Sequence, residues 1–309
     1  MKSVVSQGDT QIGYYSRDRI DVSAWDQCIQ NADNGLIYGY TYYLDSMADN
    51  WDALIFSDYK VVMPLPWRKK AGIYYLYPPF VTAELGAFGA GITRELVENF
   101  LKQIPRKFSY WDLPLNPANY FAIDEFPFYG RMNHTLSLNK PYEAIKTGYN
   151  DNTKRNIKKC KENNCRFTNN IDINSIIELN KSHDKNASFN DYENFKKLFW
   201  YLRDESLAKT YGVFSAAGEI LSSAVFFYSH NRAYYILVGN TPAGKSLGAS
   251  HALIDRFIED HAGNDLILDF EGSDIPGLAA FYSGFGAQKE MYPAIRLNRL
   301  PWYLKWLKR

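Results

Sequence analysis

The residues best placed to do chemistry lie in a glycine-bearing segment between a predicted strand and a predicted helix. Residues 233–238 are a short apolar run of β-forming side chains, which predicts a strand. Residues 239–248 predict a loop, and residues 246–261 carry apolar side chains at helical spacing, which predicts a helix. A loop that opens a helix concentrates backbone N–H groups and the positive end of the helix dipole at one place. The segment therefore predicts a phosphate-binding site.

One pattern that fits this segment is the P-loop of nucleotide triphosphatases. Gly239, Gly244, Lys245 and Ser246 satisfy its spacing, and Asp269 could end the acidic strand that follows. In P-loop proteins, however, most of the parallel sheet comes after the loop, whereas only a short part of this chain follows Ser246. The residues before Gly239 predict antiparallel strands. The P-loop is therefore the less favoured of the two patterns.

The other pattern resembles the donor motif of the acetyltransferase superfamily known as GNAT. Residues 245–250 read Lys-Ser-Leu-Gly-Ala-Ser, similar to Arg/Gln-x-x-Gly-x-Gly/Ala, whose amides hold the pyrophosphate of an acyl-CoA in that superfamily. The sequence departs from the motif at Lys245 and at Ser250. The resemblance implies an acyl-CoA donor held by this segment and by the strand before it. The donor-binding residues that it implies are Val238, Gly239, Lys245, Ser246, Leu247, Gly248, Ala249 and Ser250.

Two further motifs resemble the FemAB-type transferases, the tandem-GNAT enzymes that attach amino acids to peptidoglycan precursors. Residues 277–286 read Gly-Leu-x-x-Phe-x-x-Gly-Phe-Gly, which is similar to their C-terminal signature. Residues 153–161 resemble the Arg-Asn-Ile-Arg-Lys run that opens their second domain. With the matching order of elements, the resemblance covers nearly the whole chain. It implies an N-acyl- or aminoacyltransferase with a CoA-type or aminoacyl-tRNA donor and an amine acceptor such as a cell-wall precursor.

Three side chains are candidates for roles in the transfer step, one from the resemblance and two from their position. Tyr282 is similar in placement to the GNAT tyrosine that protonates the leaving thiolate. Glu271, at the end of a predicted strand near the donor segment, is the first candidate for the base, and Asp269 is the second. Each has a structural alternative, because Tyr282 could be an ordinary half-buried helix residue and Glu271 could cap the next helix.

A basic run lies in a helix predicted over residues 142–163. Arg155 and Lys158 are candidates for contact with an anionic substrate, because they fall in the FemAB-like motif; a solvated helix face is the alternative. FemAB enzymes that use aminoacyl-tRNA often carry a long helical-hairpin arm, and the helices predicted over 174–204 are too short for it. Together with a net charge of +1, this disfavours a tRNA donor.

The composition excludes several classes of protein. A net charge of +1 gives no overall electrostatic footprint for nucleic acid. The three cysteines and five histidines show no metal-ligand spacing, so no metal site is predicted. No apolar run approaches the roughly 20 residues of a membrane span, and the first residues lack the apolar region of a signal peptide. We therefore expect a cytoplasmic protein.

The predicted elements form two domains with a break near residues 137–141, and 309 residues suit that number. Residues 1–137 predict a GNAT-like domain without a glycine segment for phosphate, so we expect no donor site there. Residues 138–309 predict two helices, three antiparallel strands, loop and helix, strand, helix and strand, which is the GNAT order. The predicted fold is therefore α+β, with two tandem GNAT-like domains, each a mixed, mainly antiparallel sheet flanked by helices.

Three functions remain open from the sequence. The first is an acyl- or aminoacyltransferase that uses a small-molecule acyl donor and an amine acceptor. The second is a non-catalytic GNAT relative that binds a ligand, which the imperfect donor motif favours. The third is a P-loop nucleotide-binding protein.

The last eleven residues, 299–309, form a basic and aromatic tail with four basic side chains and two tryptophans. Tryptophan prefers the membrane–water interface, and basic side chains are attracted to anionic lipids. The tail therefore predicts weak peripheral contact with a membrane, where a lipid-linked acceptor would lie. The alternative is that Trp302 and Trp306 fix the C-terminus to the second domain.

Overall fold

The computed structural model of the chain describes residues 11–182, 187–272, 274–303 and 305. Its strands are β1 (Ile12–Ser16), β2 (Trp51–Phe56), β3 (Val61–Lys70), β4 (Ile73–Leu76), β5 (Phe88–Gly89), β6 (Phe108–Pro114), β7 (Phe128–Ser137), β8 (Arg166–Thr168), β9 (Ala208–Phe214), β10 (Ile220–Ser229), β11 (Arg232–Asn240), β12 (Ile267–Asp269) and β13 (Gln288–Asn298). Its α-helices are α1 (Val22–Asn31), α2 (Thr41–Met47), α3 (Arg94–Gln103), α4 (Tyr142–Lys146), α5 (Asp151–Glu162), α6 (Ile173–Lys181), α7 (Phe189–Asp204), α8 (Pro242–Leu247), α9 (Ala249–His261) and α10 (Pro276–Ser283).

The chain divides into two compact units. Unit 2 comprises Met132–Glu290, and unit 1 comprises the residues before and after it. The sequence-based division gave the C-terminal residues to the second domain, and the structure groups them with the first instead. The reason is strand pairing, since β13 is antiparallel to β6, with Ala294 opposite Pro114 and Asn298 opposite Tyr110.

Unit 1 is a mixed sheet in the order β1-β2-β3-β4-β6-β13, with β5 paired to β3. Strands β4 and β6 run parallel to each other, whereas the pairs β1-β2, β2-β3, β3-β4, β3-β5 and β6-β13 are antiparallel. The amphipathic helix α3 buries Val97, Phe100 and Leu101 against this sheet, as its apolar spacing predicts.

Unit 2 is a sheet in the order β7-β12-β11-β10-β9-β8. Its pairings are antiparallel except between β11 and β12. Helix α9 packs on this sheet, and the ring of Phe257 stacks on Phe226 with centroids 3.8 Å apart. The predicted α+β class, with mainly antiparallel sheets flanked by helices, is confirmed.

Strand β11 carries a β-bulge close to where it separates from β12. Ser223 of β10 lies opposite Gly239, but Val225 lies opposite Ile236, so two residues of β11 face one residue of β10. One of the two, Leu237, has a left-handed φ of 48°. In the described part of the chain, β12 pairs with β11 only from Arg232 to Tyr234. Beyond Tyr234, β11 therefore has no described partner on the β12 side, and the sheet is open there.

The prediction of a loop over residues 239–248 is wrong, because the segment contains the end of β11 and a short helix. This helix, α8, starts because Pro242 suits the first helical position and the Thr241 hydroxyl accepts the Gly244 N–H at 2.9 Å. Gly248 then adopts φ 71° and ends the helix. Helix α9 begins at Ala249, three residues later than predicted.

The basic helix predicted over residues 142–163 is also corrected, because it consists of two helices, α4 and α5. The Asn150 side chain accepts the Thr153 N–H at 2.8 Å and starts α5 as a separate helix. On α5 the buried side chains are Thr153, Ile157 and Cys160, so the basic residues between them point away from the core.

Candidate active site

A cleft of about 530 Å³ lies in unit 2, beside the part of β11 that does not pair with β12. Strand β11 and helices α8, α9 and α10 all contribute to its wall. The lining residues are Tyr235, Val238, Asn240, Gly244, Lys245, Gly248, Ser250, His251, Leu278, Phe281 and Tyr282. Tyr235 and Val238 are three residues apart in one strand, and both reach the cleft because the bulge shifts the alternation of side chains.

Half of the predicted donor-binding residues line this cleft: Val238, Lys245, Gly248 and Ser250. The other half do not. Gly239 is paired within the sheet, Ser246 is exposed, Leu247 is half-buried against the core, and Ala249 is fully buried.

The cleft has a positive end at the junction of α8 and α9. Helix α9 is 13 residues long and no side chain caps its N-terminus, so its first N–H groups and its dipole favour an anion. Lys245 lies in the last turn of α8 and adds a full positive charge to the lining. The Ser250 hydroxyl lies 3.3 Å from the hydroxyl of Ser222 on β10 and is thereby tied to the sheet.

Gly248 is needed for close packing against α5. A Cβ atom at Gly248 would lie 2.5 Å from the backbone oxygen of Asn156, and its positive φ also disfavours any side chain. A substitution here would therefore shift α5 against α8 whatever the ligand. Donor binding is better tested at Lys245, which is exposed.

The P-loop alternative is contradicted by the local structure. Its glycines would have to border an open loop of amides, whereas Gly239 lies in β11 and residues 242–247 form a helix. Gly244 packs so tightly that a Cβ atom would lie 2.1 Å from the Leu221 carbonyl oxygen. The amides between these glycines therefore do not form a phosphate cradle.

Tyr282 is the predicted acid, and it lies in the wall of the cleft on α10. Its ring stacks on Phe270 with centroids 4.5 Å apart. Burial raises the pKa of Tyr282 well above its ordinary value, and the negative charge of Glu271 raises it further. The hydroxyl is therefore protonated at neutral pH, as a proton donor has to be.

Glu271 follows β12 in an unusual backbone conformation. Its φ is 65°, in the left-handed region that only a few per cent of non-glycine residues adopt, and its side chain is half-buried. Asn133 of β7 holds the turn in place, because its Oδ1 accepts the Gly272 N–H at 2.7 Å and its Nδ2 donates to Asp269 at 2.9 Å. The negative charge of Glu271 contributes to the raised pKa of Tyr282.

Asp269, the second candidate for the base, is engaged elsewhere. It is buried and accepts from the Arg232 guanidinium at 2.7 Å, from Asn133, and from the Glu271 N–H at 2.9 Å. Burial alone would lower the pKa of Arg232, but the carboxylates of Asp269 and Glu290 raise it overall. To act as a base Asp269 would first have to leave this cation, so Glu271 is the better candidate.

Arg155 and Lys158 lie on the exposed face of α5. The Arg155 guanidinium donates to Asn152 at 3.0 Å, and Lys158 pairs with Glu162 at 3.6 Å. Neither belongs to the cleft lining. The structure therefore does not bring them together with Tyr282, and their contact with an anionic substrate stays a prediction.

Sequence reasoning missed two histidines of this site. His251 lines the cleft, and burial beside the rings of Phe281 and Phe285 lowers its pKa to about 4. His134 of β7 lies beside Tyr282. The position of His251, directly after the donor motif, was the only signal available in the sequence; His134 is far from every motif.

Comparison with known proteins gives the fold but not a close relative. No protein-family model and no curated protein sequence matches the chain. Among solved structures, FemX matches with a TM-score of 0.62 at 12% identity, over 94% of this chain and 98% of FemX. A tandem GNAT protein from the clavulanic acid biosynthesis pathway, solved without AcCoA, matches with a TM-score of 0.54 at 10% identity. The match covers 94% of this chain and 99% of that protein. L-PGS from Bacillus licheniformis matches with a TM-score of 0.53 at 11% identity, over 93% of this chain and 95% of L-PGS.

These likenesses, together with the sheet order of unit 2, show that the chain has the FemAB-like tandem GNAT fold. The predicted fold is therefore confirmed. At identities near 10% the likeness says nothing of the substrate.

The structure does not support the arrangement in which tryptophans of the C-terminal tail fix it to the second domain. Trp302 is 85% exposed and belongs to unit 1, so it does not fix the C-terminus to the second domain; Trp306 lies outside the described residues. Membrane contact of the tail stays a prediction. None of the described helices is both long and apolar enough to cross a bilayer.

Proposed function

We propose that unit 2 is an N-acyltransferase that takes its acyl group from a CoA-type thioester and passes it to an amine. One observation carries the proposal: the sheet opens between β11 and β12, and the opening holds both a protonated tyrosine and the positive end of a helix. The fold supports the reaction class. The charges of the lining favour a donor with phosphates, since Lys245 is a cation and no carboxylate stands among the described lining residues.

The donor would lie with its phosphates at Lys245 and the start of α9. Its thioester would then lie between Val238 of the bulged strand and Tyr282. Beyond Tyr234 no described residue of β12 pairs with β11, so the backbone of β11 on that side would bond the donor's pantetheine arm.

The transfer needs two proton movements. The acceptor nitrogen attacks the thioester carbonyl carbon, a C–N bond forms and the C–S bond breaks. Tyr282 donates its hydroxyl proton to the leaving sulfur, and Glu271 accepts the proton that the nitrogen loses. Burial and the charge of Glu271 keep Tyr282 protonated until the transfer takes place.

Calorimetry with acetyl-CoA, CoA and Mg-ATP tests donor binding, and thiol release from acetyl-CoA in the presence of amines tests transfer. We expect CoA and acetyl-CoA to bind and Mg-ATP not to bind. Tyr282→Phe should retain acetyl-CoA binding and lose about 10²–10⁴-fold in rate, the usual contribution of a general acid. Binding without any transfer to amines would favour the non-catalytic alternative, and Mg-ATP binding alone would overturn the proposal.

A further inference from the structure

Helix α10 is apolar and yet exposed. Residues 276–281 carry no polar or charged side chain, and in the whole helix only Tyr282 is buried. A helix that is apolar on all sides is normally enclosed by protein or lipid. Ile275, which caps the helix, is 62% exposed, and Leu278 is 42% exposed.

The exposed apolar residues of α10 form a stripe that leads into the cleft. Leu278 and Phe281 are three residues apart and so are neighbours on the surface of α10, and Ile275 lies directly before the helix as its N-cap residue. Exposure falls along the stripe, from Ile275 through Leu278 to Phe281, which is half-buried. Leu278 and Phe281 both belong to the cleft lining. The stripe is therefore continuous with the candidate donor site, unlike scattered apolar residues on a surface.

We infer that this stripe binds the apolar chain of the acyl group, and that the donor is a medium- or long-chain acyl thioester rather than acetyl-CoA or an aminoacyl donor. The inference rests on the proposed function and names its substrate class. Tyr282 has to reach the donor sulfur, and Leu278 lies one helical turn, about 5.4 Å, before Tyr282. The chain that starts at the adjacent carbonyl carbon therefore begins beside Leu278.

The other lining residues agree with an uncharged acyl chain. Val238 and Tyr235 extend the apolar wall on the β11 side. His251 is neutral at physiological pH, because its pKa is lowered to about 4. An acyl group that carried an ammonium would meet the like charge of Lys245 in the lining.

Calorimetry with acetyl-CoA and octanoyl-CoA tests the inference in three proteins: wild type, Leu278→Gln and Val22→Gln. Leu278→Gln keeps the size and helix preference of the side chain but makes it polar. Val22 is a matched control, because it is 43% exposed on α1 of unit 1. We expect wild type to bind octanoyl-CoA at least about tenfold more tightly than acetyl-CoA, since apolar burial grows with each methylene. Leu278→Gln should reduce this ratio at least about threefold, and Val22→Gln should leave the ratio unchanged.

Equal affinity for the two thioesters, or an unchanged ratio in Leu278→Gln, would overturn the inference and leave the proposed function standing. Failure of both thioesters and of CoA to bind would remove the proposed function and this inference with it. Sedimentation with phosphatidylcholine vesicles tests the alternative, in which the stripe binds a lipid bilayer. Vesicle binding that Leu278→Gln abolishes, without chain-length dependence in the calorimetry, would assign the stripe to a bilayer and overturn the acyl-chain assignment.

Discussion

The ring of His134 lies 5.9 Å from the ring of Tyr282, centroid to centroid, and both ring nitrogens of His134 are without a hydrogen-bond partner among the described residues. His134 is fully buried. Burial lowers the pKa of its imidazole, and the charge of Lys289 lowers it further. A buried polar group without a partner costs about 1–3 kcal/mol. The fold therefore keeps an unfavourable side chain next to the residue that we assign as the acid.

His134→Phe should be at least as stable as wild type. The substitution keeps an aromatic ring and removes two unsatisfied polar atoms. Chemical denaturation at neutral pH measures the free energy of unfolding, and His134→Ala serves as the control, since the cavity it leaves should cost about 2–5 kcal/mol. A loss of more than about 1 kcal/mol in His134→Phe would mean that the nitrogens have partners in solution, such as ordered water.

Lys245→Glu should weaken CoA binding roughly ten- to hundredfold, because a hydrogen bond to a charged group contributes about 1.5–3 kcal/mol. Lys158→Glu is the matched control. It makes the same charge change at an exposed position of α5 that does not line the cleft. Calorimetry with CoA compares the two. Equal losses in both variants would show that overall charge, and not a phosphate contact at Lys245, governs binding.

Arg232→Ala should destabilise the protein by about 3–5 kcal/mol, because it leaves the buried carboxylate of Asp269 without its cation. Arg256→Ala is the control. The Arg256 guanidinium also lies 2.7 Å from a carboxylate, that of Asp260, but Arg256 is half-exposed, so its loss should cost about 1 kcal/mol or less. Denaturant titration of both variants measures the two losses in the free energy of unfolding. Similar losses would mean that burial does not set the strength of the Arg232 pair.

Stability should fall as the pH is lowered from about 6.5 toward 4, and His251 should contribute to the fall. Burial lowers the pKa of His251 from 6.5 to about 4. Between these values the unfolded chain binds a proton that the folded chain does not, so stability rises with pH in this window. His251→Phe should therefore lose less stability than wild type between pH 7 and pH 4.5, measured by urea denaturation. An identical pH dependence in the two proteins would exclude a contribution from His251.

The double variant Trp302→Ala, Tyr303→Ala should sediment less with anionic vesicles than wild type does at low salt, because exposed aromatic side chains favour the membrane interface. Trp200→Ala, Tyr201→Ala is the matched control, since it removes another exposed Trp-Tyr pair, on α7. Binding should also weaken as salt is added. If wild type stays in solution at low salt, the tail does not contact membranes, and a soluble acceptor becomes the better assignment.

The sequence alone determined the type and order of most elements, because these depend on local patterns. Apolar alternation and β-forming residues marked β9, β10 and β11, and helical spacing marked α3 and α9. The glycine motifs around Gly248 and Gly284 gave the FemAB-like tandem GNAT fold. They also led to Tyr282, which the structure places in the cleft.

Only the tertiary structure decided which side chains meet. The bulge at Leu237 turns both Tyr235 and Val238 into the cleft, and no residue type at those positions predicts it, since the extra residue is defined by its pairing with β10. His134 and Asn133 belong to a strand more than a hundred residues before Tyr282 and Asp269, so no spacing rule links them. Sequence patterns identify neither partner, because contacts between distant segments arise from packing, whereas helix and strand signals are read from neighbours in the chain.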